Sequence, residues 1–223
     1  MGCGSPPDGA TLPVVHAQWS PGDDEEHFRP FSAPENEVPV ALPTTSVLVR
    51  TDTSALTLTG VRVFSTGVAF TLTVRCRPEA LPPGGAGLHD LLWRGHPGGD
   101  TALLVGVELA DGRRASNLAG RDPFAPAGGP EDLVFTQGSG SGQQLTVEQE
   151  WWLSPLPPAG PLRVVVRCDL LGLAETVTEL DGTAIRAAAA EVVTLWPWVP
   201  FSAVEPPEPP EPDVPADSWF ARS

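Results

Sequence analysis

The sequence predicts a mainly β protein: an immunoglobulin-like antiparallel β-sandwich of about 7–9 strands, with one C-terminal α-helix and extended Pro-rich acidic tails. Three observations carry this. Residues 68–76, Val-Ala-Phe-Thr-Leu-Thr-Val-Arg-Cys, alternate apolar and polar without a fault, the period of a half-buried antiparallel strand. Turn residues break the middle of the chain at intervals of about 10 residues. A single helical pattern follows Asp181, an effective N-cap type.

The elements follow in order. Val47–Arg50 is a first strand. In 55–64, Leu56 and Leu58 share one phase while Val61 and Val63 share the other. The switch falls at Gly60, where a bulge would restore one continuous apolar face. Ser65-Thr66-Gly67 reads as a hairpin turn in which Gly67 supplies positive φ. After the 68–76 strand, Thr101–Leu109 leads into Asp111-Gly112, a strong hairpin signal, and Arg113–Asn117 returns. Leu133-Val134-Phe135 is a short strand, and Gly138-Ser139-Gly140-Ser141-Gly142 a flexible connection. Leu145–Leu153 alternates again, Pro155–Pro161 is a stiff turn, and Leu162–Cys168 and Ala174–Leu180 are strands. The helix is predicted over 182–196, with Ile185, Val192 and Leu195/Trp196 on one stripe and Pro197 ending it.

Charge and proline divide the chain into 1–45, 46–197 and 198–223. The formal net charge is −15, and all 13 basic residues are arginine. Seven acids face one Arg in 1–45, and five face one Arg in 198–223; these ends also hold 15 of the 27 prolines. Such segments bury too little apolar surface to offset their ordering entropy, so they read as extended. The acidic balance argues against a nucleic-acid partner. No apolar run reaches the ~18–20 residues of a membrane span. The first residues, Met1-Gly2-Cys3-Gly4-Ser5-Pro6, lack a signal-peptide pattern, and Pro6 breaks a myristoylation match. A cytoplasmic location with reduced thiols is the expectation. Cys76 and Cys168 each share the phase of a strand's apolar positions and read as buried small hydrophobes, with a contact across the core as the alternative.

Several constellations of side chains bear on chemistry. His89, Asp90, His96 and Asp100 lie in one Gly-rich connection and would suit zinc or iron if they converged, though their spacing follows no ligand motif. Asp23-Asp24-Glu25-Glu26 lacks the alternation of a calcium loop. No Gly-x-Ser-x-Gly precedes a helix, and the absence of lysine removes P-loop and Schiff-base chemistry, so no cofactor is expected. Glu148, Glu150 and Trp152 share one strand face. Two carboxylates and an indole there could hold a sugar, or Trp152 could anchor a protein partner, or a segment of the same chain could cover it. Glu205–Pro212 reads as a charged polyproline rod ending near Trp219-Phe220, a layout suited to a linear motif for a partner or to folding back on the domain.

The middle of the chain resembles a set of uncharacterised β-sandwich proteins from high-GC Gram-positive bacteria. The resemblance rests on the Thr59–Gly67 hairpin, Ala110-Asp111-Gly112-Arg113-Arg114, the stretch from Trp152 to Leu162, and Glu179–Asp181 through Leu195-Trp196-Pro197. It spans roughly 46–197, implies the fold, and implies nothing catalytic.

The sequence therefore leads to a non-enzymatic interaction or assembly module, with a protein partner or self-association and the acidic C-terminal segment as a possible motif. Two alternatives stand beside it: a metal-dependent protein using the 84–100 loop, and a structural component of a larger particle.

Overall fold

A computed structural model describes residues 29–81, 87–93, 103–118 and 132–200. Two antiparallel sheets share one apolar core. The larger joins β2 (Val40–Leu42), β3 (Ser46–Arg50), β4 (Ser54–Val63), β5 (Val68–Cys76), β8 (Val134–Gly142) and β9 (Thr146–Ser154). Its order is β2-β4-β5-β9-β8, with β3 also on β4. The smaller joins β6 (Leu104–Glu108), β7 (Arg114–Ser116), β10 (Pro161–Cys168) and β11 (Leu173–Asp181), in the order β11-β10-β6-β7. A two-stranded flap pairs β1 (Glu37–Val38) with β12 (Val193–Thr194).

The strand pattern accounts for the core. Val68, Phe70, Leu72 and Val74 of β5 point inward with Leu56, Leu58, Val61 and Val63 of β4. They meet Val105, Val107, Val164, Val166 and Leu173 from the smaller sheet. Gly60 does what the phase switch predicts. Its φ is +61°, and the β4–β5 register shifts between Thr59 and Arg62. Residues on both sides of the bulge then face the core, with Leu58 and Val61 each at 1% exposure or less. β2 pairs beyond the bulge and β3 before it, along the same edge of β4. The Asp111-Gly112 turn also forms: Gly112 has φ +87°, and Leu109 N–H donates to Arg113 O at 2.9 Å.

Five expectations are corrected. The helix, α2 (Gly182–Ala189; α1 is Leu88–Trp93), stops well short of residue 196. Asp181 caps it as expected, its Oδ1 accepting from Thr183 N–H at 2.8 Å and Ala184 N–H at 3.2 Å. Beyond it, Val193 and Thr194 pair with β1. Leu195 N–H donates to Asn36 O at 2.9 Å, and Asn36 Nδ2 donates to Trp196 O at 2.8 Å. Tertiary hydrogen bonds thus claim a β-branched run that a helix holds poorly. Gly67 is not at positive φ; it is required because a Cβ there would strike Leu153 O and stand 2.6 Å from the Trp152 ring. Gly138–Gly142 is not a free connection but continues β8, anchored by Gln149 Nε2 donating to Gly138 O at 2.9 Å. The 84–100 connection contains α1, whose Leu88 N–H donates to Gln144 O at 2.8 Å. Strands also begin before residue 46, at β1 and β2.

Cys168 is buried and Cys76 only half-buried, and both are free thiols. Among the described residues no helix is long and apolar enough to cross a membrane.

Candidate functional site

Strand β9 places Glu148, Glu150 and Trp152 on the outer face of the larger sheet, opposite Thr73, Thr71 and Ala69 of β5. The shared face is as the alternation predicts. The surroundings are not those of an open site. Glu150 forms an ion pair with Arg62, and Arg75 Nη2 lies 3.9 Å from Glu148 Oε1. Each carboxylate faces a guanidinium. Trp152 is buried beneath residues of its own chain. Its Nε1 donates to Pro30 O at 2.8 Å, and its ring meets Phe64 edge-to-face at 5.6 Å between centroids. Phe31 and Ala33 pack against the Phe64, Ala69, Val134 and Trp152 cluster.

The candidate metal ligands are only partly described. His89 lies on α1 over the end of β8, where a Cβ on Gly142 would strike its imidazole. Asp90 is the next residue of α1; His96 and Asp100 lie outside the described residues. Among the described residues no group of three or more His, Cys, Asp or Glu could hold a metal ion. Trp219 and Phe220 also lie outside the described residues.

The outer face of the smaller sheet carries a row of alternating charge. Arg163 Nε donates to Glu179 Oε1 at 2.9 Å and its Nη1 to Glu108 Oε1 at 2.8 Å, while Arg114 also pairs with Glu108. The hydrogen bond from Arg163, with help from Arg114, holds the Glu108 carboxyl below its usual range. Beside this row Gly106, Ala115, Val165, Val177 and Phe135 line an open groove of about 530 Å³. Inside the core, Gln149 and Trp151 border a cavity of about 40 Å³, and Gln149 Oε1 and Trp151 Nε1 are buried without a protein hydrogen-bond partner.

The most unusual surface is the β1–β12 flap. Val38 and Val193 sit directly across from one another, so their side chains share a face. Both are exposed, at 47% and 56%, and Leu195, Trp196 and Val199 beyond them are exposed at 47%, 59% and 57%. Glu37, the neighbour of Val38, turns to the body instead: its Oε2 accepts from Ser65 N–H at 2.9 Å. The Arg29 guanidinium stands 4.2 Å from the Trp198 ring centroid and braces the exit of this segment. Sequence periodicity missed this surface because it placed Leu195 and Trp196 on a buried helical stripe. The usable signal was the Val192-Val193-Thr194 run, which favours strand over helix.

No protein-family model, curated protein or solved structure matches the chain.

Proposed function

We propose that this chain is a non-enzymatic interaction module with an immunoglobulin-like sandwich architecture, and that it docks another protein surface, a second copy of itself included, through the β1–β12 flap. The carrying observation is the exposure of Val38, Val193, Leu195, Trp196 and Val199 on and just beyond one small element; among the described residues the other large apolar side chains mostly lie in the core, with Val47, Leu118 and Val177 the exposed exceptions. Clustered apolar exposure of this kind marks interaction surfaces, and Trp is the residue most enriched at their energetic centres. The paired state of Glu148 and Glu150 favours this reading over a carboxylate enzyme. The acidic C-terminal segment with Trp219 and Phe220 is proposed as a second, linear element of the same interaction function, and the charge balance favours a protein over a nucleic acid as partner.

The test is sedimentation velocity of the full chain over a hundredfold concentration range, beside the V193T/W196S double variant. The expected result is a concentration-dependent rise in mass for the intact chain that the variant loses. Equal monomeric behaviour of both would overturn self-docking through the flap.

A further inference from the structure

The outer face of the larger sheet already holds a docked peptide, supplied by the chain itself. Arg29–Phe31 form a single 3-10 turn. Trp152 Nε1 donates to Pro30 O at 2.8 Å, and Thr136 Oγ1 donates to Phe31 O at 3.2 Å. Phe31 and Ala33 supply the apolar contacts, whereas Ser32 is exposed. Both groove donors address main-chain carbonyls. The hydrogen bonds therefore set the peptide's position, and selectivity falls on the phenylalanine and alanine side chains. The cluster beneath the peptide is separate from the main core. Release of residues 29–33 would uncover this smaller cluster and break the Arg29–Trp198 contact while leaving the residues of the main core packed against one another.

The chain carries the same four residues a second time. Pro30-Phe31-Ser32-Ala33 is repeated as Pro200-Phe201-Ser202-Ala203, and a glutamate follows each at the same distance, Glu35 and Glu205. We propose that Phe64, Ala69, Val134, Thr136 and Trp152 form a recognition groove for Pro-Phe-Ser-Ala peptides, and that its second ligand is the Pro200–Ala203 segment of another copy of this chain. The groove shares no residue with the flap, although Arg29 of the resident strap stands over Trp198 at the flap's exit. Exchange makes a head-to-tail contact, because the groove and the second peptide are different surfaces. The tethered 30–33 segment competes at an effective concentration in the millimolar range, so exchange requires its release.

The test uses the full-length chain and a synthetic peptide of residues 199–205. In F31S the resident peptide loses its main side-chain anchor. The Trp152 indole N–H resonance, assigned by W152F, is followed as peptide is added. The expected result is saturable binding to F31S, about tenfold or more tighter than to the intact chain, and no binding of the same peptide with serine in place of Phe201. An unmoved indole resonance in F31S, or equal binding of the serine peptide, would overturn the groove. If F31S loses its circular-dichroism signature, excess peptide against the intact chain gives the same answer from the displaced Pro30 hydrogen bond. The second-copy assignment is read by sedimentation in a W196S background, so that the flap does not contribute. F31S/W196S should associate and F31S/F201S/W196S should not. Identical masses for the two would overturn exchange between copies, whatever the flap does.

Discussion

Gly60 offers a direct test of how the larger sheet keeps its face. At φ +61° any residue with a Cβ is strained, by roughly 1–2 kcal/mol for alanine. Space is not the obstacle, since a Cβ there would lie 3.5 Å from Thr71 Oγ1, an ordinary contact. Alanine also narrows the unfolded ensemble, which returns about 0.4–1 kcal/mol. The net expectation for Gly60→Ala is a loss of about 1 kcal/mol, or about 2–4 °C in Tm for a chain of this size. Gly60→Asn should lose less, because asparagine tolerates the left-handed region. Gly172, at φ +64° with nothing within 4 Å of its Cβ position, should respond in the same way. Gly67→Ala is the contrast: its fault is collision with Leu153 O and the Trp152 ring, so its loss should be larger, about 1–3 kcal/mol, and asparagine should not relieve it. Thermal unfolding by circular dichroism, with urea titration alongside, measures all of these. A Gly60→Ala variant as stable as the parent, or a Gly60→Asn variant less stable than Gly60→Ala, would refute the conformational argument for the bulge.

Other consequences follow from named contacts. Asp181→Ala removes the acceptor of two helix N–H groups and should cost about 1 kcal/mol, read as a lower urea midpoint with unchanged slope. Because Arg163 lowers the Glu108 pKa in the folded state, that pair's stabilisation is present above the ordinary glutamate range and is lost as pH falls through the folded value. The Tm gap between the parent and Arg163→Gln should therefore shrink from about pH 6 to about pH 3, and a gap that widens on acidification would contradict the pairing. Burial raises both thiol pKa values, and Cys168 lies deeper than Cys76. In a Cys3→Ser chain, maleimide should label Cys76 well before Cys168 at neutral pH, and mass spectrometry of timed digests would show the order.

Much of the architecture was legible because it depends on short-range patterns. Strict alternation in 68–76, the Gly60 phase switch, Asp111-Gly112 and the Asp181 cap each rest on residues within a turn or two of one another. Each appears in the fold at its place. What failed was of another kind. Residues 192–196 satisfied a helical stripe locally, yet Asn36, about 160 positions away, takes the hydrogen bonds of Leu195 and Trp196. The face holding Trp152, Glu148 and Glu150 was readable from one strand. Its covering by residues 29–33 and its pairing with Arg62 and Arg75 were not.

By itself, then, the sequence determined which side of each strand is apolar, where the chain turns, and how charge and proline divide it, because these follow from neighbours along the chain. Only the tertiary structure decided which apolar residues stay uncovered and which polar ones find partners. Val193 and Trp196 are exposed because β12 pairs with β1 in a two-stranded flap apart from both larger sheets, with Trp196 just beyond it. Trp152 is buried because a distant turn supplies the carbonyl its N–H needs.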